Sequence, residues 1–206
     1  PFSHALLKFT IHYWINRVFL FPLRFFLVNW LPVFRYSDTL LATTPSRWQT
    51  LAATIPEALL KLEPAPGEWS ALQCLRHLLD TEEKVFPVRI RAILAGQNFP
   101  AFNPDTDGEK IISGMTPAEL AAKFAAVRKN NLKLLAGLSI KDLTRTAIHA
   151  ELGKVTLGEL INEWIGHDLN HTVQAERAMM QPFIAGSGPW RAYFKDHDIK
   201  FHEHVK

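Results

Sequence analysis

Three capping boxes divide this chain: Ser70-Ala-Leu-Gln73, Thr116-Pro117-Ala-Glu119 and Thr156-Leu-Gly-Glu159. In each, the hydroxyl of the first residue accepts from the backbone N–H three positions on, and the Gln or Glu side chain accepts from the first residue's own N–H. Thr44-Pro45 offers a fourth start, an N-cap followed by proline at the first helical position. The signals predict helices over 44–61, 70–95, 116–136 and 156–181, with Pro56 and Pro87 bending the first two. Apolar residues then fall on one arc of each predicted helix: Leu72, Leu75, Leu79 and Phe86; Leu120, Phe124, Val127, Leu134 and Leu135; Leu157, Ile161, Trp164, Ile165 and Met179. Pro100, Asn103, Pro104, Asp105 and Gly108 make Gly96–Gly114 a loop, and Ala147–Val155 reads as a short hairpin or extended turn at Gly153. With no run of alternating strands, the expected fold is an all-α four-helix bundle with a long loop between helices 2 and 3.

A length of 206 residues suits one domain. The net charge of +3 is uneven: residues 1–37 carry Lys8, Arg17, Arg24 and Arg35 and no acid, so the rest sums to −1. That body has no basic stripe suited to nucleic acid. A single cysteine, Cys74, rules out an intrachain disulfide and fits a reducing, cytoplasmic setting.

Residues 1–36 are crowded with aromatics and arginines. The four cations break every apolar run short of the ~18 residues a membrane span needs, and Pro22 and Pro32 interrupt a helical pattern. No apolar core followed by a cleavage site marks a secretory signal. Three readings are open: an interfacial amphipathic segment on an anionic membrane, an extra helix on the domain, or an upstream extension outside the working protein. The abrupt change near Ser37 favours the last. The expected division is an aromatic basic extension (1–36), the bundle (37–195) and a charged tail (196–206).

The candidate chemistry lies in His167-Asp-Leu-Asn-His171. Four helical residues leave two rings about 40° apart on one face, one turn above the other, within reach of one divalent ion. His77, on the second predicted helix, is the expected third ligand. Three protein ligands with an open fourth position make a reactive site rather than a closed structural one. Glu163 and Gln174 flank the pair along the same side, placed to bond the ligands' second nitrogens. Asp80, one turn after His77, is the expected orienter of that ring, and Arg128 is a contact for an anionic group if it faces the cleft. Cys74 reads as a small buried apolar residue, and His149 as a loop histidine satisfied locally. His197, His202 and His204, in the charged tail, carry no function. No phosphate loop and no nucleophile elbow occurs.

Two segments in order, Gly67-Glu-Trp69-Ser70 through His77, Asp80 and Glu82, and Leu152-Gly153 through Thr156, His167, Asp168, His171 and Gln174, resemble the two signatures of the DinB-like proteins. The resemblance covers about residues 40–195. It implies an up-down-down-up four-helix bundle, often a homodimer, holding a divalent metal on three histidines, here His77, His167 and His171. It also implies a small-molecule substrate and, in the thiol-dependent S-transferases and isomerases of the family, a low-molecular-weight thiol cosubstrate. The related domain of the iron-dependent sulfoxide synthases has a glutamate two residues after the last histidine. This chain has Val173 there, which argues against that activity. The family's association with DNA damage does not imply DNA binding. An all-nitrogen ligand set does not choose among Zn²⁺, Ni²⁺, Fe²⁺ and Mn²⁺. The expectation is a metal-dependent transferase or hydrolase with Asp80 and Glu163 as its acid groups; a non-catalytic, stress-related metal- or ligand-binding module is the alternative.

Overall fold

A computed structural model describes residues 30–103 and 114–199. Four long helical segments form a bundle: α1 (Trp30–Thr54), α3 (Ala71–Lys84) continued by α4 (Phe86–Leu94), α5 (Pro117–Ala136) and α6 (Leu157–Gly186). A one-turn helix, α2 (Glu57–Leu60), follows α1. An antiparallel hairpin, β1 (Thr146–His149) and β2 (Gly153–Thr156), precedes α6. α1 packs on α5 and α6, α3 packs on the same two, and α4 lies against α6.

All three capping boxes form. Ser70 N–H donates to Gln73 Oε1 at 2.7 Å, Thr116 N–H to Glu119 Oε2 at 2.8 Å, and Thr156 N–H to Glu159 Oε2 at 2.7 Å. The expected cap at Thr44 does not form. The Thr44 hydroxyl instead donates to Leu40 O at 3.1 Å, and Pro45 lies within a helix already running over Trp30–Thr54. Proline has no N–H, so Leu41 O loses its usual donor four residues on. Arg128 Nη1 takes that place at 2.8 Å, which lets the helix pass through the proline with its carbonyl satisfied. The same helix crosses Ser37, a fully buried residue, without a break.

Pro56 ends a helix rather than bending one: α1 stops at Thr54 and Pro56 caps α2. Near Pro87 the chain breaks at Val85 (φ −115°, ψ −75°), and α4 starts anew with proline in its first turn. α6 runs past Pro182 to Gly186, longer than the spacing predicted. Gly153, at φ +75°, supplies the left-handed residue opposite His149 that the hairpin turn requires. The expected loop of 96–114 is irregular over Gly96–Asn103; 104–113 lie outside the described residues, as do 1–29 and 200–206.

The apolar core is in two clusters. One gathers Phe86, Ile90, Leu135, Leu157, Ile161 and Trp164 beside Leu41; the other gathers Trp48, Leu75, Leu78, Leu79, Phe124 and Met179. Between them a polar belt crosses the bundle: Thr44 on α1, Glu82 on α3, Arg128 and Asn131 on α5, and Asp168 on α6, all buried. His167 and His171 lie on α6 between Ile165, which belongs to one cluster, and Ala175, which belongs to the other.

Candidate metal centre

His167 and His171 project from one face of α6 toward His77 on α3, and one ring nitrogen of each lies within 4.8 Å of the other two. The Nε2 atoms of His77 and His167 face each other at 2.9 Å. Ring centroids are 4.5 Å apart for His77 and His171, 4.5 Å for His167 and His171, and 4.9 Å for His77 and His167. All three residues are half-buried. Three imidazoles with ring nitrogens this close together, only His171 of them bonded to a side chain outside the trio among the described residues, fit a shared divalent ion.

Gln174 Oε1 lies 2.8 Å from His171 Nδ1. An amide oxygen accepts only, so Nδ1 carries the proton and Nε2 keeps its lone pair for a ligand bond. Burial pulls the His77 imidazole down to about 3 and His171 to about 4, with the His171 ring adding to the effect on His77. Burial also holds His167 far below its ordinary value, helped by both neighbouring rings and by the Arg128 and Arg89 guanidiniums. Neutral imidazoles are the form a metal needs. His167 Nδ1 is buried without a hydrogen-bond partner.

Trp69 stacks on His171 (5.7 Å, 20°) and tilts against His77 at 5.0 Å, and Phe86 meets the His167 ring edge-on at 5.2 Å. Trp69 immediately precedes the Ser70 cap, so the box that starts α3 also aims this indole at the site. One turn before His167, Glu163 keeps exposed surface, yet burial on its protein side pushes the carboxyl up to about 7. It hydrogen-bonds neither histidine among the described residues. The structure thus brings His77, His167, His171 and Gln174 together, with Glu163 alongside.

Other candidates fall elsewhere. Asp80 is buried and its Oδ1 accepts from Arg76 Nη2 at 2.8 Å, with Lys84 Nζ at 3.6 Å. Arg128 does not face the cleft. It is 1% exposed and donates to Asp168 Oδ2 at 2.7 Å, Asp168 Oδ1 at 2.9 Å and Glu82 Oε1 at 2.7 Å. Asn131 and the Trp164 indole complete the belt on Glu82, at 2.8 Å and 2.7 Å. Cys74 is fully buried in the core, which pushes its thiol up to about 12. His149 is satisfied locally, its Nδ1 accepting from the N–H groups of Glu151 and Leu152 at 3.1 and 3.3 Å. Trp69, Phe86 and Arg89 were not assigned to the site from sequence. Only Trp69 carried a signal, its position beside a cap.

A family model described as the DinB superfamily matches residues 40–175, which include all three histidines; the chain belongs to that superfamily. A protein of Oceanobacillus iheyensis described as a "putative metal-dependent hydrolase" is 27% identical over 108 residues, covering 51% of this chain and 62% of that protein. The chain thus spans under two thirds of the curated relative's length. The solved structure of YfiT from Bacillus subtilis, described as a probable metal-dependent hydrolase with an unusual four-helix bundle topology, superposes with a TM-score of 0.62 at 17% identity, over 73% of this chain and 87% of that one. Among the described residues no helix is long and apolar enough to cross a membrane.

Proposed function

We propose that this chain is a divalent-metal-dependent enzyme in which water or a low-molecular-weight thiol attacks a small electrophilic substrate. The observation that carries the reading is the convergence of three half-buried imidazoles, with a glutamate that keeps exposed surface one turn along α6 from His167. When bound, the ion supplies Lewis acidity and brings the pKa of a coordinated water or thiol toward neutrality. His77, His167 and His171 hold it. Gln174 fixes the His171 ring. Glu163, with its carboxyl near 7, is the group suited to take a proton and return it to a leaving group. Asp80, tied to Arg76 and Lys84 one turn away on its own helix, braces α3 internally and has no catalytic part in this reading. The descriptions of the two relatives, both as metal-dependent hydrolases, favour water over a thiol. A homodimer and a cytoplasmic setting belong to the same reading, the latter supported by the single buried cysteine.

The test is turnover of small activated esters and amides, and of electrophiles with added thiol, by chelator-treated and Zn²⁺-, Ni²⁺-, Fe²⁺- or Mn²⁺-loaded protein. Activity should need the metal. Glu163→Gln should lower kcat roughly 100-fold or more, flatten the pH profile near 7 and leave metal content unchanged. Stoichiometric metal without turnover of any of these substrates would favour a non-catalytic module instead. The unpartnered His167 Nδ1 favours that alternative, since an outer bond to each ligand is what usually tunes a reactive ion.

A further inference from the structure

Beside the histidines sits a cation that no carboxylate contacts directly among the described residues. The α3–α4 arm and α6 run antiparallel here: Trp69, just before α3, stacks on His171, whereas Phe86, at the start of α4, stacks on Trp164 at 5.1 Å, so one turn further along α4 corresponds to one turn back along α6. That register sets Arg89 on the Glu163 side, at the end of the histidine cluster away from Trp69. The guanidinium lies over the Phe99 ring, 5.3 Å from its centroid, and Phe99 in turn packs edge-on against His149 at 5.5 Å. Among the described residues the only hydrogen bond of Arg89 is a long one, Nη2 to Pro100 O at 3.5 Å, and no carboxylate stands within 4 Å. Glu163 and Glu151 reach it only through space. A half-buried guanidinium supported on an aromatic face, with most of its five donors unspent, is a fork matched to an oxyanion. The other cation proposed from sequence for this role, Arg128, is consumed by Asp168 and Glu82.

We propose that Arg89 is the anion-recognition residue of the cleft and that the substrate carries a carboxylate, bound by the Arg89 fork while its reacting group lies at His77, His167 and His171. This inference rests on the functional reading above and adds to it the substrate class. The spacing suits a small molecule: Glu163 and His171 are eight residues apart on α6, about 12 Å along the axis, with Arg89 at one end and Trp69 at the other. Glu163 is the negative group nearest to a carboxylate seated there, and its removal should help binding.

The test is calorimetric titration of benzoate, and of its neutral counterpart benzamide, into the full chain after chelator treatment, so that no ion can ligate the carboxylate. Wild type should prefer benzoate. Arg89→Gln should weaken benzoate about 10-fold or more and leave benzamide within about 2-fold, with helix content and metal stoichiometry unchanged. Arg89→Lys should retain part of the preference, since it keeps charge without the fork, and Glu163→Gln should tighten benzoate. Equal binding of the two probes by wild type, no benzoate binding at all, or unchanged benzoate affinity in Arg89→Gln would each overturn the proposal. Metal uptake by portions of the same preparations, reconstituted with Zn²⁺ after the chelator is removed, separates the two ideas. Loss of the benzoate preference in protein that still takes up metal leaves the metal reading standing. Failure to take up metal in protein that still prefers benzoate removes that reading alone.

Discussion

Gln174 holds His171 by its second nitrogen, and that single bond decides which atom the ring offers to an ion. Gln174→Leu keeps the volume but removes the acceptor, so metal affinity should fall about 10- to 100-fold with the fold intact, whereas Gln174→Glu should hold or raise it. Competition against a chelator of known affinity measures both, and an unchanged affinity in Gln174→Leu would reduce the contact to a bystander. This pairing was readable from sequence because both residues sit on one helix, three apart. The same holds for His167 and His171. Cross-helix neighbours were not readable: that Trp69 lies on His171 and Arg89 on the Glu163 side depends on how α3, α4 and α6 slide past one another, which no local spacing encodes.

At the scale of elements, three helix starts were legible because capping boxes act through bonds confined to four residues. The fourth was misread because Thr44-Pro45 has a cap's composition in the middle of α1. What decides it is remote: Arg128, on α5, supplies the bond that Pro45 removes. Arg128, Glu82, Asn131 and Asp168 also escaped a pattern that sorts polar residues outward. They can be buried because one guanidinium donates to both carboxylates, with Asn131 and Trp164 donating to the positions left on Glu82. Burial alone would push the Glu82 carboxyl up, and Arg128 opposes that shift. Arg128→Leu leaves two carboxylates buried without their cation, which should destabilise the chain by about 3–5 kcal/mol. Urea unfolding reads this directly; a loss under ~1 kcal/mol would mean that the belt contributes little beyond packing.

For the whole molecule, the bundle buries titratable rings that a simple core would not contain. His77 near 3 and His171 near 4 both lie below the ordinary 6.5 that an unfolded chain presents. The unfolded state therefore takes up more protons between these limits, and the metal-free chain should lose stability as pH falls from about 6.5 toward 3–4, with the contribution fully present above 6.5. The urea midpoint should drop between pH 7 and pH 5, and His171→Gln should lessen the drop; a midpoint that does not move over this range would contradict the burial of neutral rings. All of this converges on one claim, that His77, His167 and His171 hold a divalent ion. Elemental analysis of purified, tag-free chain beside His167→Ala/His171→Ala tests it most directly. The account predicts near-stoichiometric metal in wild type and its loss in the double variant; equal metal in both, or none in wild type after reconstitution, would contradict it.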